Sequence, residues 1–155
     1  MATIITDLKE SFRRGNIYIQ LIYINVGVFV LTTLTEVILQ LFNRSLGGMF
    51  EWLELPASLS RFIVQPWSIL TYMFMHAGVL HILFNMLWLY WFGALFLNFF
   101  SAKHLRGVYI LGGICGGILY MAAYNIFPYF QPMTEYSFML GASASVLAIV
   151  AATAY

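Results

Sequence analysis

Apolar positions along this chain gather into long, nearly unbroken runs separated by short mixed segments. The first run extends from Ile17 to Phe42, the second from about Gly78 to Phe100 and the third from about Gly107 to Ala123; a fourth opens near Gly141 and is still apolar at Tyr155. A hydrocarbon core of about 30 Å takes about 20 helical residues to cross, so the first run is long enough to span with some tilt. The pattern predicts an all-α fold, a polytopic bundle of transmembrane helices, with residues 1–155 as a single membrane domain. From Ser143 to Tyr155 there are only thirteen residues. A fourth helix is therefore expected either to start below the membrane surface or to continue past Tyr155.

The segments between the runs differ in kind. MATIITDLKESFRRGN at the amino terminus is short and polar, with acidic residues among its basic ones, unlike a cleavable signal or a transit peptide. Residues 43–67 mix Gly47, Gly48, Pro56, Pro66, Arg44, Arg61, Glu51 and Glu54 with Phe50, Trp52, Phe62 and Trp67. Amphipathic rings accumulate at the headgroup boundary, so this stretch reads as an interfacial loop, in part short helix. Residues 124–138 carry Tyr and Phe with Pro128 and Pro132, either an aromatic belt or a cover over whatever site opens beside the fourth helix.

Composition then restricts the class. Hydrophobic residues make up 62% of the chain, charged residues 8%, and the mean hydropathy is +0.86. A soluble domain carries roughly 25% charged residues, so most of this surface must face lipid or other helices. Cys115 is the single cysteine and excludes an internal disulfide; His76, His81 and His104 have no metal-ligand spacing. A net charge of +1 without a basic run gives no footing for nucleic acid. No cofactor is implied.

Charge also orients the bundle. Lys9, Arg13 and Arg14 precede the first run, and Lys103 and Arg106 join the second to the third, whereas the other two loops hold only Arg44 and Arg61. Basic residues concentrate on the cytoplasmic side, which places the amino terminus there. The segments entering the second and fourth runs then share the outer face. The short polar amino terminus fits a bacterial cytoplasmic membrane.

Two motifs meet on that face. In HAGVLHILFNMLWLYWFG, His81 and Asn85 are four apart and share one side of a helix. Polar side chains in a span commonly serve as glue between helices; paired on one side, they also form the two donors that an oxyanion hole requires. The second motif, Gly141-Ala142-Ser143-Ala144-Ser145, opens the fourth run. Small residues allow close helix packing, with both serines capping or bonding back to the helix. A serine at a helix amino terminus also has its own backbone N–H free to hold an oxyanion, which makes Ser143 a candidate nucleophile.

The run from His76 to Asn85, continued by WLYWFG, together with Gly141-Ala142-Ser143, resembles the rhomboid family of intramembrane serine proteases. The resemblance extends from the first helix to the opening of the fourth, so four of an expected six helices are present. It implies Ser143 as nucleophile, His81 and Asn85 as oxyanion donors, His76 as a structural histidine and Gly141 and Ala144 as flanking motif positions. The partners it implies are transmembrane protein substrates within membrane lipid, cleaved near their outer ends.

Three positions depart from the family pattern. Ala144 stands where the family has Gly, and Trp67-Ser68 where it commonly has Trp-Arg. The family's base, a histidine on its sixth helix, has no counterpart among these residues, and a neutral serine needs a base within about 2.6 to 3.2 Å. These 155 residues alone are expected to be inactive, the complete protein to hydrolyse peptide bonds by a Ser-His dyad. The alternative is an inactive rhomboid-like protein that binds transmembrane clients, against which the joint presence of Ser143, His81 and Asn85 weighs. A small transporter would show internal repeats, and none is present. Gly112, Gly113, Gly116 and Gly117 form two overlapping G-x-x-x-G spacings suited to internal packing, and Glu36 stands in the first run near its end.

Overall fold

The computed structural model describes residues 6, 9, 10, 12, 13, 15–43, 48 and 50–154. Asp7, Arg14, Arg44, Gly47 and Tyr155 lie outside the described residues, and so does most of the polar amino-terminal segment.

Helices dominate. α1 spans Ile17–Leu41, α2 Leu59–Val64, α3 Ser68–Thr71, α4 Val79–Phe96, α5 Ala102–Ile126 and α6 Ser143–Thr153. α1, α4 and α5 are each long and apolar enough to cross a membrane. α6 packs against both α4 and α5, while α1 packs mainly on α4. Large apolar side chains point outward all along them, such as Leu31, Leu34 and Ile38 on α1, Leu83 and Phe84 on α4, and Leu111 and Leu119 on α5. An outer surface of this kind is stable only against lipid or further helices.

Helix ends depart from the hydrophobic runs where polar or special residues intervene. α5 begins at Ala102 rather than near Gly107, because Ser101 caps it, its hydroxyl accepting from the His104 N–H at 3.5 Å; the polar first turn of Lys103, His104 and Arg106 hides that start from a hydropathy reading. α4 stops at Phe96, and residues 97–100 fold into turns. α6 begins at Ser143, since Gly141 sits at φ +118° and cannot be helical.

Within residues 43–67 lies an element with no periodic signal: β1, Leu55–Pro56, pairs antiparallel with β2, Phe138–Met139, in the register Leu55 to Met139 and Pro56 to Phe138. The Ala57 N–H extends the pairing to the Ser137 carbonyl at 2.9 Å. This clasp ties the loop after α1 to the strand that leads directly into Gly141.

The core between the helices is filled by Leu55, Tyr72, Met73, Leu89, Phe96, Leu105, Tyr109 and Ile149. Gly112, Gly113, Gly116 and Gly117 of α5 face inward. A Cβ added at Gly116 would stand 2.5 Å from the Ala144 methyl, one at Gly112 would collide with Ala148, one at Gly113 with the Met73 side chain, and one at Gly117 would meet Leu55 and Ile69 at 2.7 Å. Their small size is used inside the bundle.

Candidate active site

The segment before α4 is held from three directions. The Tyr72 hydroxyl donates to the Gly113 carbonyl of α5 at 2.6 Å. The Tyr72 carbonyl accepts from the Gly141 N–H at 2.9 Å. Tyr109 donates to the Met73 carbonyl at 3.4 Å and is itself met by the Asn25 amide of α1 at 3.2 Å. Asn25 is fully buried, and a polar group sealed among apolar helices needs such a partner. These contacts bring the beginnings of α4 and α6 side by side.

Between them opens a pocket of about 380 Å³ lined by His81, Asn85 and Ser143, with Leu80, Phe84, Trp88, Val146 and Leu147 as its apolar walls. Asn85 is buried, and one of its two amide hydrogens goes to the His81 carbonyl at 2.9 Å; its second remains for the pocket. His81 is half-buried. Gly141 lets the ring approach: a Cβ there would lie 2.7 Å from His81 Nε2, and its φ of +118° is costly for any other residue.

The two serines of the motif part company. Ala142 occupies the cap position of α6 and neither serine caps it, so Ser143 is the first helical residue, with its N–H among those that have no intrahelical acceptor. Ser143 is half-exposed in the pocket. Ser145 is fully buried, its hydroxyl unpartnered and aimed at the Gly113 backbone. Ala144 turns its methyl into the notch at Gly116.

His76 is 8% exposed, and its ring meets that of His81 edge-on at 5.2 Å between centroids. Burial pushes its pKa down to about 4, the neighbouring His81 adds to the effect, and a hydrogen bond to the Phe74 carbonyl opposes it. His104 stands in the first turn of α5 with its Nδ1 3.0 Å from Ser101 Oγ. Residues 124–138 do not line the pocket. Their rings stack on one another, Tyr124 on Phe130 at 5.1 Å, over the end of α5.

The family model of the Rhomboid domain matches residues 64–155. The chain belongs to the rhomboid family. The match takes in His81, Asn85, Ser143 and the whole wall of the pocket. Among curated relatives, RHOMBOID-like protein 7 of Arabidopsis thaliana is 38% identical over 55 residues, which are 36% of this chain and 18% of that protein. The alignment thus spans less than a fifth of the relative. No solved structure matches. As a rhomboid-family bundle with three helices of crossing length among the described residues, the molecule is an integral membrane protein.

This rhomboid-family chain also accommodates its departures from the pattern. Ser68 is fully buried, and Trp67 stacks on Trp52 at 6.1 Å and donates to the Trp52 carbonyl at 2.8 Å. Arg61 bridges the loops instead, 3.7 Å from Glu135 and over the Phe138 ring. Sequence reasoning missed Asn25, Tyr72 and the β1–β2 clasp; a lone Asn inside an apolar run was the one available signal for the first.

Proposed function

We propose that the complete protein is an intramembrane serine endopeptidase that hydrolyses peptide bonds of transmembrane substrates by a Ser-His dyad. Ser143 is the nucleophile, its Oγ forming the acyl bond as the scissile C–N bond breaks. His81 and the free N–H of Asn85, with the Ser143 backbone N–H, stabilise the tetrahedral oxyanion in a site walled by apolar side chains. The observation that carries the reading is the gathering of Ser143, His81 and Asn85, from two helices, around one pocket while Ser145 is sealed in the helix seam. The base in this reading is a histidine outside these 155 residues: His81 serves the oxyanion, His76 is engaged with Phe74, and His104 is bonded near Ser101. The amino terminus lies on the cytoplasmic side of a bacterial inner membrane, supported by Lys9 and Arg13 before α1 and Lys103 and Arg106 at the start of α5, two crossings apart.

The test is cleavage of a client with a single transmembrane segment by the full-length protein. Ser143→Ala should lower turnover on the order of 10³-fold or more, while Ser145→Ala leaves it within a few fold. Unchanged processing by the Ser143 variant would replace this reading with that of a client-binding member.

A further inference from the structure

The loop between α5 and α6 is fastened at both of its ends to the loop that follows α1. At its start, the half-buried Asn125 amide donates to the carbonyl of buried Ala57 at 2.9 Å and to the Met121 carbonyl of its own helix at 2.8 Å, so both of its hydrogens are used. Towards its end, the Ser58 hydroxyl donates to Glu135 Oε1 at 2.8 Å; Ser58 is 2% exposed, and Ser60 Oγ lies 2.7 Å from it. The other carboxylate oxygen, Oε2, faces Arg61 Nε at 3.7 Å, and the Arg61 guanidinium lies over the Phe138 ring. Directly after Glu135, the Ser137 carbonyl accepts from the Ala57 N–H and Phe138–Met139 pairs as β2 with β1. From Met139 the chain reaches Gly141, which packs on the His81 ring, and then Ser143 at the start of α6.

A clasp of two residues a side is too short to hold its own register, since even a longer isolated pair of strands is marginal in stability. The side-chain bonds on either side of the clasp supply what its pairing lacks. We propose that Glu135 is a positioning residue for the reaction at Ser143: by accepting from Ser58 it holds the strand before Gly141 against the loop after α1, and so fixes Ser143 relative to His81 and Asn85. Asn125 assists from the other end by holding Ala57, the residue next to Ser58. The proposal rests on the reading of Ser143 as nucleophile. Glu135 does not line the pocket, so its effect runs through the strand. Its acceptor oxygen matters more than its charge. Arg61 and Glu135 are both about half exposed and 3.7 Å apart, and an ion pair so placed contributes little, whereas the bond from a sealed hydroxyl to a carboxylate is a charge-assisted one. A nucleophile misplaced by about 1 Å loses about a hundredfold in rate. A loosened strand should therefore slow turnover without weakening the binding of the client.

The experiment uses the full-length protein, labelled with ¹⁵N-histidine, in phospholipid nanodiscs. kcat and KM are measured on a client with a single transmembrane segment, and the His81 imidazole is followed by NMR. Glu135→Ala should lower kcat about tenfold with KM within about twofold, and should move the His81 resonance, because Gly141 packs on that ring. Glu135→Gln keeps an acceptor for Ser58 and should restore kcat to within about twofold of the unaltered protein. Ser58→Ala removes the same bond from the other side, so in a double-mutant cycle with Glu135→Ala the two losses should not add. An unchanged kcat in Glu135→Ala, a rise in KM alone, additive losses in the cycle, or a His81 resonance that stays in place overturns the proposal. Glu135→Gln as slow as Glu135→Ala overturns it too, by assigning the effect to charge. Cleavage that survives Ser143→Ala ends the reading of Ser143 as nucleophile, and the His81 resonance, which needs no turnover, then decides separately whether Glu135 holds the strand.

Discussion

At the scale of single residues, Gly141 lets the His81 ring approach, and His76 stands edge-on to that ring. Gly141 combines a left-handed backbone with close approach to the His81 ring, so an alanine there meets both a conformational cost of about 1–2 kcal/mol and a clash with imidazole atoms 2.7 and 2.8 Å away. Gly141→Ala should lower the unfolding free energy by about 2 kcal/mol or more and shift the His81 imidazole resonances, whereas an alanine at Gly27, which has open space, should do neither. His76 is held neutral by burial, with its pKa pushed down from 6.5 to about 4. The unfolded chain binds this proton more readily than the folded one, so the stability His76 confers is complete above pH 6.5 and is lost as pH falls from 6.5 toward 4. Thermal unfolding in detergent followed across that window should show this slope, and His76→Gln should flatten it; an unchanged slope would place the titrating group elsewhere. The sequence motif and the family resemblance point to Ser143. The opposite environments of Ser143 and Ser145 were beyond a sequence reading, because both lie in one run of small residues and only the rotation of α6 against α5 separates them.

At the scale of elements, the seam between α5 and α6 explains how Ala144 is tolerated. Its methyl occupies the space that Gly116 leaves, and Ala148 does the same against Gly112 one turn on. Gly116→Ala should therefore cost about 1–3 kcal/mol by overpacking, and Ala144→Gly in the same chain should recover most of it. A double-mutant cycle measures this coupling, and purely additive effects would show that the two residues do not share the notch. The G-x-x-x-G spacings were legible as packing devices, but not their partner, since spacing carries no information on which helix comes alongside. The clasp of β1 and β2 was invisible for a related reason: two residues a side have no period, and Pro56 argues against a strand except at an edge.

At the scale of the whole molecule, apolar side chains face outward and polar contacts lie within. Asn25 to Tyr109 and Tyr72 to Gly113 hold α1, the segment before α4 and α5 together where a soluble protein would rely on apolar burial alone. Between membrane helices such bonds are worth about 0.6 kcal/mol each on average, and close packing at the glycines adds to them. The proposed orientation leads to a topology experiment. A reporter inserted at Phe99, between α4 and α5, should be active only in the cytoplasm, and one inserted at Tyr129, between α5 and α6, only outside. Both reporters active on the same side would remove the charge-based orientation and, with it, the placing of the pocket on the outer face.

The sequence by itself determined that this is a membrane bundle and which family it belongs to. Each follows from properties carried along the chain: hydropathy over about 20 residues and short motifs on one helix side. Tertiary structure decided what depends on two segments meeting. It turned Ser143 to the pocket and Ser145 to the seam, set Gly141 against His81, and gave Ala144 its space at Gly116. The physical reason is that helix rotation and approach follow from packing between residues distant in sequence, and no periodicity along a single helix records its neighbour.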